Sequence, residues 1–148
     1  MSATTATGTT TALLTRGEMD ALVDGHYRAE ENGDLAAIVA GFGPGAEHDV
    51  VGRPGGPLHG GEQIGEFYRA LLGELRIDRF EPVRRRYGTD HVVDESLLHA
   101  TATGHPFGLD GRGRTVRTRF LHIFDFEGGL ISRESAWIDL AAIQEQLG

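Results

Sequence analysis

The sequence predicts an α+β domain, and three observations predict it. Apolar residues recur at helical spacing in three stretches before residue 75 and once more at the C-terminus. Between the third helix and the last lie three or four long stretches that read as strands, the clearest being 119–126, where apolar residues alternate. Segments rich in glycine and proline separate them. Helices early and strands late imply helices packed on one face of a curved antiparallel sheet. At 148 residues the chain is long enough for one core and is expected to form one domain.

Each element has a local cause. Thr15-Arg16-Gly17-Glu18 has capping-box spacing, and the helix after it puts Met19, Leu22, Val23, His26 and Tyr27 on one stripe. Asn32-Gly33 ends it. Asp34 caps a second helix that buries Leu35, Ile38, Val39 and Phe42, and Gly43-Pro44-Gly45 is expected to stop it. Residues 47–52 read as a short strand and 53–61 as a loop. A third helix over 62–75 carries Ile64, Phe67, Tyr68, Leu71, Leu72 and Leu75 at helical spacing. Strands follow over 76–87, 91–103, 114–127 and 129–138, with Pro82 demanding a bulge or a sheet edge. The glycine-rich hairpin loop at 104–113 is placed to rim a cavity. Asp139 sits at a helix N-cap, and Leu140, Ile143 and Leu147 give the last helix one apolar face. Residues 1–12 are rich in threonine and alanine with no apolar period, so residues 1–14 are expected to be a disordered tail and 15–148 the folded domain.

Composition narrows the function. A net charge of -8 argues against nucleic acid, because phosphate binding needs a basic face. Arg79 with Arg84-Arg85-Arg86 is the one basic cluster, and it reads as solvated or interface residues. There is no cysteine, which excludes disulfides and thiolate chemistry. No run approaches the ~18 apolar residues that cross a bilayer, and the N-terminus lacks the basic start and apolar centre of a secretory signal. A cytoplasmic protein that binds no membrane is expected.

The last twenty residues, a glycine turn, the strand 130–138, Asp139 and a helix closing on Gln146-Leu147-Gly148, resemble the ending of the SnoaL-like branch of the nuclear transport factor 2-like superfamily. Residues 31–42 are similar to the helix-break-helix that opens the same superfamily, which includes ketosteroid isomerases and limonene epoxide hydrolases. The short strand, the loop ending at Gly60-Gly61 and the helix with Ile64, Phe67 and Tyr68 follow in the family's order. The resemblance implies a cone: a curved sheet and three N-terminal helices enclosing a small-molecule cavity, closed by a short C-terminal helix.

Candidate residues can then be weighed one by one. His59, His91 and His105 fall in loops or at strand starts and read as solvated, and His99 reads as structural. No two histidines have metal-type spacing on one helix face, so no metal or organic cofactor is expected. His122 alternates with Phe120 and Phe124, which places an imidazole in an apolar surface. Burial disfavours the charged ring unless a partner holds the proton. The resemblance matches this position to a functional His of the cyclases and a functional Asp of the isomerases; the other reading is a hydrogen-bonded core histidine. His48 and Asp49 lie where the isomerases carry a proton-shuttling Asp, with Val50 on that position in an ungapped match. The register decides whether His48 or Asp49 faces inward. The isomerases' oxyanion tyrosine matches His26, with Tyr27 one position on. Two departures stand out: the last-strand Asp of the cyclases and hydrolases falls on Ala136, and the hydrolases' Arg and Asp pair falls near Ser96 and Leu98. Glu134, two residues before Ala136, is the candidate substitute. Phe120, Phe124, Val50, Ala136, Ile138 and Phe67 are expected to line the cavity.

The expected function is proton transfer next to a carbonyl on a hydrophobic polyketide- or steroid-like substrate, as isomerisation, aldol-type cyclisation or dehydration. His122, or His48 or Asp49, would move the proton, and Tyr27 with a protonated partner would hold the oxyanion. The alternatives are a limonene-type epoxide hydrolase and a non-catalytic ligand-binding or dimerisation module. A homodimer is expected, because Leu121, Ile123 and Trp137 alternate onto the sheet face that the helices leave open.

Overall fold

The computed structural model describes residues 13–148, so the expectation of a tail over residues 1–12 lies outside the described residues. Helix α1 (Arg16–Glu31) is held by the expected capping box: Thr15 Oγ1 accepts from the Glu18 amide at 3.1 Å, and the Thr15 amide donates to Glu18 at 3.0 Å. Helix α2 (Leu35–Ala40) is capped by Asp34, whose carboxylate accepts from Ala37 N. Strand β1 (Phe42–Val50) and the two-residue β2 (Leu58–His59) lead into α3 (Gly60–Glu74). Four strands follow, β3 (Arg76–Tyr87), β4 (His91–Thr101), β5 (Thr115–Glu127) and β6 (Leu130–Ile138), and then α4 (Leu140–Leu147).

The strands form one curved six-stranded sheet in the order β2-β1-β6-β5-β4-β3. The sheet is mixed: β1 runs parallel to β6, and every other pairing is antiparallel. A parallel neighbour needs a long crossover, and the whole segment from α3 to β5 supplies it. Gly43-Pro44-Gly45 does not end the second helix. The helix stops at Ala40, and the Gly-Pro-Gly run lies inside β1 as a bulge between the pairs Phe42↔Ile131 and Glu47↔Arg133, with Gly45 at φ +67°. Phe42 is buried as expected, but from the strand. Pro82 satisfies both of its readings, since β3 is a sheet edge and its register slips between Pro82 and Arg84.

The inner face of the sheet carries the core. Val92, Leu98, Val116, Phe124 and Ile131 are fully buried beneath α1 and α3, joined by Met19, Val23, Ile64 and Tyr68 from the helices. Each such aliphatic or aromatic side chain contributes roughly 1.5–3 kcal/mol. Asp139 caps α4 by accepting from Ala142 N, and Ile143 and Leu147 seal one end of the cone against Leu98 and Val116. On the outer face Leu121 and Trp137 are about one-third exposed, at 36% and 39%.

Candidate active site

Strand register builds the site in two rows across the inner face. Asp94 on β4 pairs with His122 on β5, which pairs with Ala136 on β6, which pairs with Val50 on β1. One rung along, Val92, Phe124, Glu134 and His48 are partnered in the same way. Helix α1 adds His26, Tyr27 and Glu30 from one stripe, and α3 adds Tyr68; all are buried.

Glu134 is the centre. Its Oε2 accepts from the Tyr68 hydroxyl at 3.0 Å and lies 3.3 Å from His26 Nε2 and 3.6 Å from His48 Nε2. Its Oε1 lies 3.3 Å from His122 Nε2. Burial by itself would raise this carboxyl, but the facing imidazoles of His26, His48 and His122 outweigh it and hold Glu134 well below the usual carboxylate range. Burial likewise opposes a charge on His26, yet Glu134 and Glu30 push its pKa up to about 10. His48 goes the other way: burial lowers it, helped by His26 and His122, and the attraction of Glu134 does not compensate. Near pH 7 the cluster therefore holds a carboxylate, an imidazolium at His26 and a neutral imidazole at His48. The Nδ1 atoms of His26 and His48 have no hydrogen-bond partner.

A second chain leads away from Glu134. Tyr27 Oη donates to Asp94 at 2.7 Å, and Asp94 accepts from Arg85 Nε at 2.7 Å. With its one proton committed to Asp94, Tyr27 accepts from His122 Nδ1 at 3.0 Å, which fixes the proton on that nitrogen. Burial first, then the Asp94 carboxylate, raises the Tyr27 phenol well above its ordinary value, and burial with Glu134 does the same for Tyr68, so both are donors. Arg85 is held by Asp20, Asp24 and Asp94 at 2.7 to 3.0 Å. It is not a solvated arginine, as its run of three suggested, because β3 turns it under α1.

Over this network stands a largely apolar cavity of about 380 Å³. Val50, Phe67, Phe120 and Ile138 line it as expected, together with Phe80 and Leu98. Phe107, on the 104–113 loop, borders it with a left-handed backbone at φ 56°, so that loop does rim the cavity. Phe124 and Ala136 do not line it: Phe124 is stacked behind His122 at 5.2 Å, and Ala136 is buried in the sheet. Phe120 stacks on the other face of His122 at 4.3 Å, and Phe67 lies 4.5 Å from the His48 ring, so both imidazoles sit one ring below the cavity surface.

The register answers the question left open on β1. His48 points inward, and Asp49 points to the opposite face, where its carboxylate accepts from Arg133 Nη2 at 3.0 Å. Asp49 is thus outside the cluster. His26, Tyr27, His48, His122 and Glu134 are brought together; His59 and His105 are exposed, His91 is half-buried beside Asp90, and His99 pairs with Glu81 at 2.7 Å. Sequence reasoning missed Glu30 and Asp94 and placed Tyr68 only in the core. Glu30 lies four residues after His26, one helical turn on, and Asp94 alternates with Val92, Ser96 and Leu98 on the inner face; these are the signals that would have found them.

The one group of possible metal ligands among the described residues is His26, Glu30 and Glu134, with donor atoms within 4.8 Å of one another. A cation there needs a deprotonated His26, and the two carboxylates that would bind the metal also hold the proton on that ring.

The family model for the SnoaL-like domain matches residues 23–134. No curated protein matches the sequence. Among solved structures the chain is similar to a proposed polyketide cyclase from Xanthomonas campestris pv. campestris, at TM-score 0.80 and 22% identity over 90% of this chain and 98% of that one. It is also similar to an LEH-like epoxide hydrolase of M. tuberculosis, at TM-score 0.70 and 18% identity over 88% and 90%. A third is a protein with a ketosteroid isomerase-like fold from Catenulispora acidiphila, solved with trimethylamine, at TM-score 0.71 and 16% identity over 86% and 92%. At these identities the likeness is one of fold, the α+β cone.

Proposed function

The chain belongs to the SnoaL-like domain family, and on that premise we propose that it is a cavity enzyme that transfers a proton next to a carbonyl on a small hydrophobic substrate. Isomerisation, aldol-type cyclisation and dehydration of a polyketide- or steroid-like compound share that step. The observation that carries the reading is the buried cluster of Glu134 with His26, His48 and His122 beneath an apolar cavity. Charged groups are expensive to bury, and a fold can usually replace them with apolar side chains at no loss of stability. Titratable groups driven in opposite directions at the foot of a cavity are what acid–base chemistry needs.

In this reading Glu134 is the fixed anion that orients the imidazoles and, with Glu30, holds the proton on His26. His48, neutral near pH 7, and His122 exchange the proton, while the phenols of Tyr27 and Tyr68 give their protons to Asp94 and Glu134 and line no part of the cavity, so they hold those carboxylates in place rather than a substrate oxygen. Epoxide opening finds less support: the Arg85 and Asp94 pair borders a separate small pocket beside Tyr27 rather than the cavity. A ligand-binding module needs no such buried acid–base cluster. No cofactor enters the scheme. A homodimer joined through the outer sheet face, in the cytoplasm, completes the proposal.

The test is turnover of a β,γ-unsaturated cyclic ketone, followed by the absorbance of its conjugated isomer. Glu134→Gln should lower kcat by ~10²-fold or more while the protein still folds. Wild-type turnover in that variant would remove the cluster from the chemistry.

A further inference from the structure

Glu30 stands apart from the other residues around the cavity. It is the only carboxylate among the described residues that line it, and its side chain is 5% exposed. Oε1 lies 2.9 Å from His26 Nε2, whose single N–H also faces Glu134 at 3.3 Å and Tyr68 at 3.2 Å, and no other described group donates to either oxygen. The remaining acids of the network are satisfied: Glu134 accepts from Tyr68, and Asp94 accepts from Tyr27 and Arg85. A buried carboxylate balanced in charge but short of donors is poised for a donor that the protein does not supply. Arg53 is the other charged residue in the lining, and its guanidinium donates to Gly56 O; Phe67, Phe80, Phe120, Leu71, Leu98 and Ile138 offer apolar contact.

Resting on the proton-transfer reading, we propose that Glu30 is the catalytic base that meets the substrate, and that the substrate is a ring-bearing carbonyl compound, neutral where its acidic C–H lies against this carboxylate. The histidines are one ring below the surface, so a substrate in the cavity reaches Glu30 before it reaches His48 or His122. The step balances without a co-reactant. The C–H bond breaks, an O–H bond forms on Glu30, and the electron pair passes into the enolate; returning the proton to another carbon completes an isomerisation. His26, between Glu30 and Glu134, is the positioning residue: its imidazolium faces both carboxylates and keeps Glu134 paired when Glu30 is neutralised. The part of the substrate next to Glu30 is neutral, because an anionic group there would lie against the carboxylate; Arg53 is the one cation among the described residues of the lining. A volume of about 380 Å³ suits a bicyclic or small tricyclic compound.

The experiment uses the full chain, a β,γ-unsaturated bicyclic ketone as substrate and 2-naphthol, a neutral hydroxyl donor, as a fluorescent binding probe. Glu30→Gln keeps a carbonyl acceptor in place but removes the basic carboxylate. It should bind 2-naphthol within about threefold of wild type and keep KM, while kcat falls ~10²-fold or more. Glu30→Asp withdraws the carboxylate by one methylene and should retain an intermediate rate. Wild-type kcat in Glu30→Gln with loss of turnover in Glu134→Gln would overturn the role of Glu30 and leave the enzyme reading standing. A wild-type protein that binds 2-naphthol but turns over no ketone would overturn both. If neither Glu30 variant folds, Glu30 is a structural ion and the proposal falls.

Discussion

His26, His48 and Glu134 share one desolvated space and divide its protons unequally, which gives the residue scale its predictions. The His26 pKa is raised from 6.5 to about 10, so its charge stabilises the fold fully below pH 6.5, and that contribution is lost as the pH rises through 10. Glu134 is depressed below 4.5, so its contribution is present above that value and lost as the pH falls through the lower folded value. His48 is lowered from 6.5, so it resists protonation and weakens the fold as the pH falls below 6.5. The melting temperature of wild type should decline between pH 6.5 and 10, and His26→Gln should flatten that decline; a parallel slope in the variant would show that His26 is not charged. In catalysis, His48→Gln and His122→Phe should each lower kcat by ~10²-fold or more with the fold intact. Unfolding of His122→Phe, whose ring is stacked between Phe120 and Phe124, would mark a core histidine instead. His122 was legible because strict alternation with two phenylalanines fixes its face. His48 was legible only as one of a pair, since its register depends on β6. Glu30 was not legible, because a glutamate one turn from a histidine is also the pattern of a solvated helix pair.

At the scale of elements, Asp139 separates capping from catalysis. Its carboxylate accepts from Ala142 N, and it joins no part of the buried cluster. Asp139→Ala should destabilise the domain by ~1 kcal/mol and Asp139→Asn by much less, as read from the urea midpoint, with kcat unchanged in both. A large loss of turnover in Asp139→Asn would return this residue to the site. The helices and the four long strands could be read from the chain, because apolar period and capping residues act locally. Strand β1 could be read only in its second half, over 47–50. Gly43-Pro44-Gly45 has the local chemistry of a stop, and only pairing with β6, distant in sequence, turns it into a bulged parallel strand. The inner row of Asp94, His122, Ala136 and Val50 was hidden for the same reason: four strands must be in register before it exists.

The whole molecule presents a sheet with helices on its inner face and Leu121, Ile123 and Trp137 on the outer one, where Arg84, Glu95 and Arg119 edge a shallow groove. A homodimer across this face should scatter light at twice the chain's 16.0 kDa at micromolar concentration, and Trp137→Glu should return it to a monomer. A monomeric wild type would refute the dimer without touching the cavity. The chemistry rests on the cone as a unit, because α1, α3, β1, β5 and β6 each supply a member of the cluster. Its most direct test is hydrogen exchange into a cyclic ketone incubated with the protein in D₂O and followed by NMR at the carbons next to the carbonyl. Catalysed deuterium incorporation in wild type that disappears in Glu134→Gln is the predicted result; incorporation no faster than in buffer, with the ketone bound, would contradict the account.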